Sequence, residues 1–403
     1  MIRYEIKKIL GRTSSKIALL LLAILVVSFC YSTTHDESIS WYNEQNQTDT
    51  VGYSSARKLR EAQKEWAGVL DEEMLQNVLT FLKQTNSDEE KQGASHIRRL
   101  LNRSYQKSYQ YQYMDYYNAE NVQVDQLPQF YDNRVVLLEE WLYDESNAYN
   151  NGFYTYSDKE KEYLINRMDS LDTPIQVDWF MGWQQASRAA SSIALFGIII
   201  LGYLLSGIFS NEARWKADSI YYSTIHGRRK GSIAKIKAGL LLTTVLYWGV
   251  TLISSIFVLT YLGADGANCP IQAYYKYWFS IYHLTFVQRY LLIIVTGYLG
   301  WIFVASLVMF LSAKSGSAAL PVVVPPLLII TPMALSGEIS NTKILELLPH
   351  QLFNLFGNMQ SLTVYSVVGK VMTPVPLVLI LYTCLTVFFA WFSYREYRYK
   401  LIK

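Results

Sequence analysis

The side chains able to carry acid–base, nucleophilic or metal chemistry are scattered along this 403-residue chain. His35, His96, His226, His283 and His350 are far apart, and none has a second ligand at metal-binding spacing. All five read as surface residues of loops and outer helices. Cys30, Cys269 and Cys384 form neither a CxxC pair nor a disulfide framework. No GxxxxGK[ST] phosphate loop occurs, and Gly227-Arg-Arg-Lys-Gly-Ser232 lacks its spacing. HExxH and GxSxG are absent too, and acid runs such as Asp88-Glu89-Glu90 and Glu139-Glu140 read as solvated faces. The expectation is a non-enzyme without a metal site or a cofactor of its own.

What the chain does carry is a partition of charge. Residues 34–185 hold 26 Asp+Glu against 14 Lys+Arg, while the remainder holds 7 against 22. A single soluble globule has no reason to divide its charge in this way. A membrane protein with one large loop does, because Lys and Arg collect on the cytoplasmic side.

Six stretches are apolar enough to cross a bilayer core, which takes roughly 17–25 helical residues. They are 17–33, 186–209 (apolar from 189), 238–262, 290–313, 317–335 and 374–394. No ionisable residue lies inside the apolar runs, which argues against a proton or ion relay. The first run resembles a signal peptide, but Phe29 before Cys30 fits a cleavage box poorly and no A-x-A follows, so an uncleaved anchor is expected. Residues 1–16, with Arg3, Lys7, Lys8, Arg12 and Lys16, form a basic amphipathic helix on the cytoplasmic side. The basic loop 210–237 and the tail 395–403 fall there as well. Loops 263–289 and 336–373 and the segment 34–185 fall outside, in a bacterial plasma membrane. Trp179, Trp183, Trp278, Tyr282, Trp391 and Tyr394 are expected as interfacial belts. Cys30 and Cys269 then lie near one face, as two semi-buried thiols or, less favoured, a bridge. Four prolines (Pro321, Pro325, Pro326, Pro332) kink the fifth span.

The segment 34–185 is too long for a structureless loop. Leu59, Ala62, Trp66, Val69, Leu70, Met74, Val78 and Leu82 predict one amphipathic helix over 59–82. Further helices are expected over 95–117, 134–143 and 158–168, the last opened by a Ser157–Glu160 capping box. No alternation long enough for a sheet occurs. Tyr105, Tyr109, Tyr111, Tyr113, Tyr116 and Tyr117 offer either an aromatic face for a sugar or peptide or, more simply, packing against the domain. The predicted fold is therefore an all-α polytopic membrane protein: an N-terminal interface helix, six spans and a helical extracellular domain between spans one and two.

The most informative stretch runs from Gly207 to Gly239. Glu212 follows the membrane exit, Ile220, Tyr221, Thr224 and Ile225 form a short apolar face, and Gly227 can close that helix before Arg228-Arg229-Lys230. An amphipathic helix at the inner membrane face needs lipid or a partner subunit to cover it. Phe209-x-x-Glu212, then Ser223-Thr224-x-x-Gly227-Arg228 and a following Lys, resembles the permease subunits of exporter-class ABC transporters. The resemblance covers the membrane part, about 250 residues, together with an apolar segment at 344–353 that dips into the outer leaflet. The large domain departs from the smallest family members. The resemblance implies that 210–237 is the coupling helix seated in an ATPase subunit, with Glu212, Asp218, Ile220, Tyr221, Ser223, Thr224, Ile225, Gly227 and Arg228 as coupling residues. It implies two copies of that ATPase, which bring ATP and Mg, and a second permease chain, identical or homologous. The lipid bilayer is the remaining partner, and no nucleic acid is expected. The cargo path would run along Thr243, Thr244, Ser254 and Ser255, suiting an amphipathic peptide or lipid-like substrate. A membrane-anchored extracellular peptide receptor or immunity protein, without transport activity, is the alternative.

Overall fold

The computed structural model describes residues 1–107, 109, 118–144, 156–214, 227–335, 343–355 and 359–399; of 213, 214, 227, 228 and 335 it describes the backbone alone. The chain is mainly helical, and five helices are long and apolar enough to cross a membrane. After a short amphipathic helix α1 (Ile2–Leu10), the chain breaks at Gly11-Arg12 and enters α2 (Thr13–Thr34), apolar on every side. The other long helices are α9 (Met181–Leu205), α11 (Ser232–Leu262), α12 (Phe286–Ser315) and α14 (Pro374–Arg398). Each begins at or before its expected start, because polar residues such as Gln184, Arg188, Lys235 and Arg289 continue the helix beyond the apolar run.

The fifth apolar stretch forms α13 (Ala319–Leu335), with Pro325, Pro326 and Pro332 inside it. Its 17 residues give about 26 Å of helix, short of a core of about 30 Å.

Helix α12 is the centre of the bundle. Small residues let bulky ones approach, as they do between helices in lipid. Fully buried Trp301 of α12 donates to the Ala194 carbonyl of α9 at 2.8 Å, and Gly197 faces the same indole: a Cβ there would lie 2.5 Å from Trp301 Cζ2. Tyr247 of α11 donates to the Ile294 carbonyl at 2.6 Å and fits against Gly297. The Ser312 hydroxyl donates to the Ser206 carbonyl at 2.7 Å. Thr243, Ser254 and Ser255 are buried inside this packing. Thr243 and Thr244 bond the helix's own carbonyls, Thr244 meets the Tyr298 hydroxyl at 2.8 Å, and Ser255 meets Tyr290. The expected lining of a path is instead hydrogen-bonded within one chain.

Ile9, Leu205, Ile208, Phe209 and Tyr397 share one buried cluster, so both described chain ends lie at the same end of the bundle. Helices α2, α9, α11, α12 and α14 present their other ends to the domain formed by residues 35–180. There α3 (Tyr53–Lys64) and α4 (Glu72–Gln84) replace the single helix expected over 59–82. Gly68, at φ +151°, leads into an antiparallel pairing of β3 (Gly68–Val69) with β4 (Gln176–Val177), and Asp71 caps α4 by accepting from the Met74 N–H at 2.9 Å. A hairpin of β1 (Trp41–Asn43) with β2 (Thr48–Thr50) also forms here, where no sheet was expected, and another of β5 (Tyr365–Val367) with β6 (Lys370–Met372) forms in the loop before α14. After the single turn α5 (Asp88–Lys91), α6 (Ser95–Ser104) ends well short of 117. At its end Ser104 turns its hydroxyl onto the Phe130 carbonyl. Helices α7 (Asp132–Tyr143) and α8 (Asp158–Asp169) match expectation. Ser157 and Glu160 form the reciprocal cap, at 3.0 and 3.4 Å.

The domain is bonded to the bundle rather than tethered to it. Trp179 donates to the Leu262 carbonyl of α11 at 2.7 Å, Gln185 of α9 donates to the Ser38 hydroxyl at 3.1 Å, and Arg134 donates to the Trp278 carbonyl, between α11 and α12, at 2.8 Å. Trp179 and Trp278 are fully buried, so they are core residues and not the interfacial belt expected of them; Trp391 is exposed. Arg289, expected in a loop, is fully buried in the first turn of α12 and donates to Gln184 Oε1 and Tyr277 Oη, both at 2.7 Å. His96 and His350 are buried, contrary to a surface reading. Cys30 and Cys269 are both buried free thiols.

Candidate functional site: a buried ion cluster at the N-terminal end of the bundle

Glu212 lies in α10 (Asn211–Arg214), one turn after α9 ends, and is buried. A carboxylate there needs cations, since an unpaired buried charge costs several kcal/mol. Two arrive from different parts of the chain. Lys235, in the first turn of α11, reaches Glu212 Oε1 at 2.6 Å and also donates to the Ile208 carbonyl at 2.7 Å. Lys8 of α1 reaches the same oxygen at 2.5 Å. Glu5 completes the cluster at 3.5 Å from Lys235. The two acids balance the two lysines.

Aromatic faces close the site. Lys235 Nζ sits 5.8 Å from the ring centres of both Phe209 and Tyr397, whose rings are 4.7 Å apart. Burial alone would raise the Glu212 carboxyl, but Lys235 first and Lys8 second outweigh it and hold it below the usual carboxylate range. Glu212 therefore stays ionised at neutral pH. Among the described residues no three His, Cys, Asp or Glu side chains gather to hold a metal. The cluster pins α1 to both ends of the segment that joins α9 to α11.

Of the residues expected to couple, the structure places Glu212 in this cluster. Gly227 opens a wide turn (Gly227–Gly231) that leads into α11, and Arg228 follows it there. Asp218, Ile220, Tyr221, Ser223, Thr224 and Ile225 lie outside the described residues. Of the tyrosines, Tyr105 donates to the Gln126 carbonyl at 2.8 Å. Tyr109 is buried between Trp141 and Phe279, with ring centres 5.0 and 4.9 Å away, so it packs in the domain instead of offering a free face. Tyr111, Tyr113, Tyr116 and Tyr117 lie outside the described residues.

No protein-family model, curated protein or solved structure matches this chain. Its site must therefore be read from its own residues. Glu5, Lys8 and Lys235 were counted in the sequence only as charges of flanking segments. The available signal was a lysine in the first turn of an apolar helix, with an acid just past the preceding apolar run. A lysine so placed is fully buried only when paired.

The segment 343–355 forms a second feature of the bundle. Its short turns Lys343–Leu347 and Pro349–Leu352 insert beside α12 and α14. The Tyr382 hydroxyl donates to the Leu347 carbonyl at 2.9 Å, and a Cβ on Gly300 would lie 2.5 Å from Phe353 Cζ. Gly300 is halfway along α12, so this segment reaches the middle of the bundle.

Proposed function

We propose that the chain is the membrane-spanning permease subunit of an ATP-driven, exporter-class ABC transporter, with six spans. It would work with two soluble ATPase subunits and a second permease chain, in a bacterial plasma membrane with both termini cytoplasmic and 34–185 extracellular. The observation that carries this reading is the Glu212–Lys235–Lys8 cluster. It clamps both ends of 210–237, the segment whose Ser223-Thr224-x-x-Gly227-Arg228 pattern resembles a coupling helix. A push on that segment would then move α9, α11 and α1 as one unit. The buried insertion at 343–355 agrees with a re-entrant segment before the last span. The cargo most compatible with bundle helices poor in unpaired charge is amphipathic, a peptide or lipid-like molecule.

The test is a pull-down of the tagged chain in mild detergent, with mass spectrometry of its companions. A stoichiometric soluble protein with nucleotide-binding motifs supports the reading. Clean preparations across several detergents overturn it in favour of a membrane-anchored extracellular receptor, which the cavity described next also favours.

A further inference from the structure

The domain formed by residues 35–180 has a cavity of about 420 Å³ where it meets the bundle, within the size range of small-molecule sites. Its walls come from separate elements: the turn after α2, the β1–β2 hairpin, α3, α5 and α6, with Phe180, Met181 and Tyr274 closing it from the bundle side.

Three observations bear on what it would hold. The first is charge. Half-buried Arg98 and Arg99 come from α6, while Glu37 and Asp88 come from the turn after α2 and from α5. None of these four is within salt-bridge distance of an opposite charge among the described residues, although the domain's other acids and bases form several such pairs. The second is the wall. His96 is buried there, burial pushes its imidazole down to about 4 so that it is neutral at pH 7, and neither ring nitrogen has a well-aligned hydrogen bond among the described residues. Ser38, Ser95, Gln63 and Gln92 add further neutral polar groups. The third is preorganisation. Gln92 clasps the Tyr42 backbone at 2.8 and 2.9 Å, Gln63 meets Ser95 at 3.4 Å, and Arg99 lies 5.2 Å over the Tyr275 ring.

Charges of both signs that form no ion pair among the described residues, a neutral polar wall and phenol rings match a molecule that carries both signs itself. We infer that this cavity binds a small zwitterion, a free amino acid or a short peptide with unmodified termini, its carboxylate on Arg98 and Arg99 and its ammonium on Glu37 and Asp88. Such a ligand would touch the segment that ends α2 and the one that begins α9. Ser38 of the cavity wall accepts from Gln185 of α9 at 3.1 Å, and neighbouring Asp36 pairs with Arg188 of the same helix. Occupancy is thereby linked to the packing of two long helices. The inference stands whether or not the chain partners an ATPase.

The experiment uses the purified full chain in detergent and reads thermal stabilisation, then calorimetric affinity. The probes are the free amino acids and unmodified di- and tripeptides of varied side chains, each hit being repeated with its termini acetylated and amidated. At least one probe should bind with a micromolar dissociation constant. Capping either end should weaken that binding about tenfold or more, the size of one lost ion-paired contact. Arg99→Gln should weaken it equally with little change in the unliganded melting temperature. Ser40→Trp, which fills the cavity from its rim without removing a charge, should abolish it. No stabilisation by any probe at millimolar concentration overturns the inference. So does equal affinity for capped and uncapped forms, or binding of a neutral oligosaccharide that Arg99→Gln leaves unchanged.

Discussion

Glu212 and Lys235 meet at 2.6 Å across the two ends of the segment that joins α9 to α11, and both are buried. Their pairing joins the two ends of that segment. Removing one member strands the other's charge, which costs about 3–5 kcal/mol for a buried pair. Lys235→Met and Glu212→Gln should each lower the melting temperature of the purified chain by several degrees. The double variant should recover part of the loss, because no buried charge is then left without its partner at that position. Additive losses in this double-mutant cycle would show the two residues to be independent.

Gly300 and Phe353 offer a test of the inserted segment. A side chain at Gly300 must displace the Phe353 ring, since even a Cβ would stand 2.5 Å from it. Overpacking of this kind costs about 1–3 kcal/mol. Gly300→Val should therefore destabilise the chain, and Phe353→Ala in the same molecule should restore much of the stability. If Phe353→Ala only adds to the damage, 343–355 does not pack against α12 as described.

His96 makes a pH prediction with a definite sign. Burial pushes its imidazole down to about 4 from an unfolded value of about 6.5, nearby Arg99 acting in the same direction. The unfolded chain thus binds a proton between these values that the folded chain refuses. The stability is fully present above pH 6.5 and is lost as pH falls toward 4, by up to about 3 kcal/mol. Asp36 is held low by hydrogen bonds from Ser38 and then by Arg188, Glu160 by Lys343 and Asp265 by Lys64 and Arg60, so their losses belong at more acid pH. A His96→Asn chain should show a flatter melting temperature between pH 6.5 and 4.5 than the native chain. Parallel curves would mean that His96 titrates normally.

The long helices were legible because an apolar run has one solution in lipid: every backbone group must bond inside the segment. The Ser157–Glu160 cap was legible for a related reason, being a local exchange of two hydrogen bonds. Helix 59–82 was misread because apolar spacing persists through Trp66 and Leu70, while the break is made by Gly68 pairing with Val177, more than a hundred residues away. Buried Trp179 and Trp278 were misread likewise. A tryptophan at a span's end has the same sequence signature whether it meets lipid headgroups or a docked domain. The ion cluster and the zwitterion cavity join residues from distant segments, and a charge count by segment hides such meetings. Only Glu212 of the cluster was singled out, through the pattern that follows it.

The segment beyond Glu212 supplies the last prediction. Ile220, Tyr221 and Ile225 lie on one side of an amphipathic pattern, and the proposed coupling places that side in an ATPase groove. Replacing all three with Ser removes the apolar contact and leaves the clamp of Glu212, Lys235 and Lys8 intact. The triple variant should insert normally and keep its melting temperature within about 2 °C, since the substituted residues are expected at the surface. It should no longer retain the ATPase on affinity purification. Glu212→Gln should behave differently, losing stability first. If the triple variant still carries its full complement of ATPase, 210–237 is not the coupling element and the contact must be sought on α1 or the C-terminal tail.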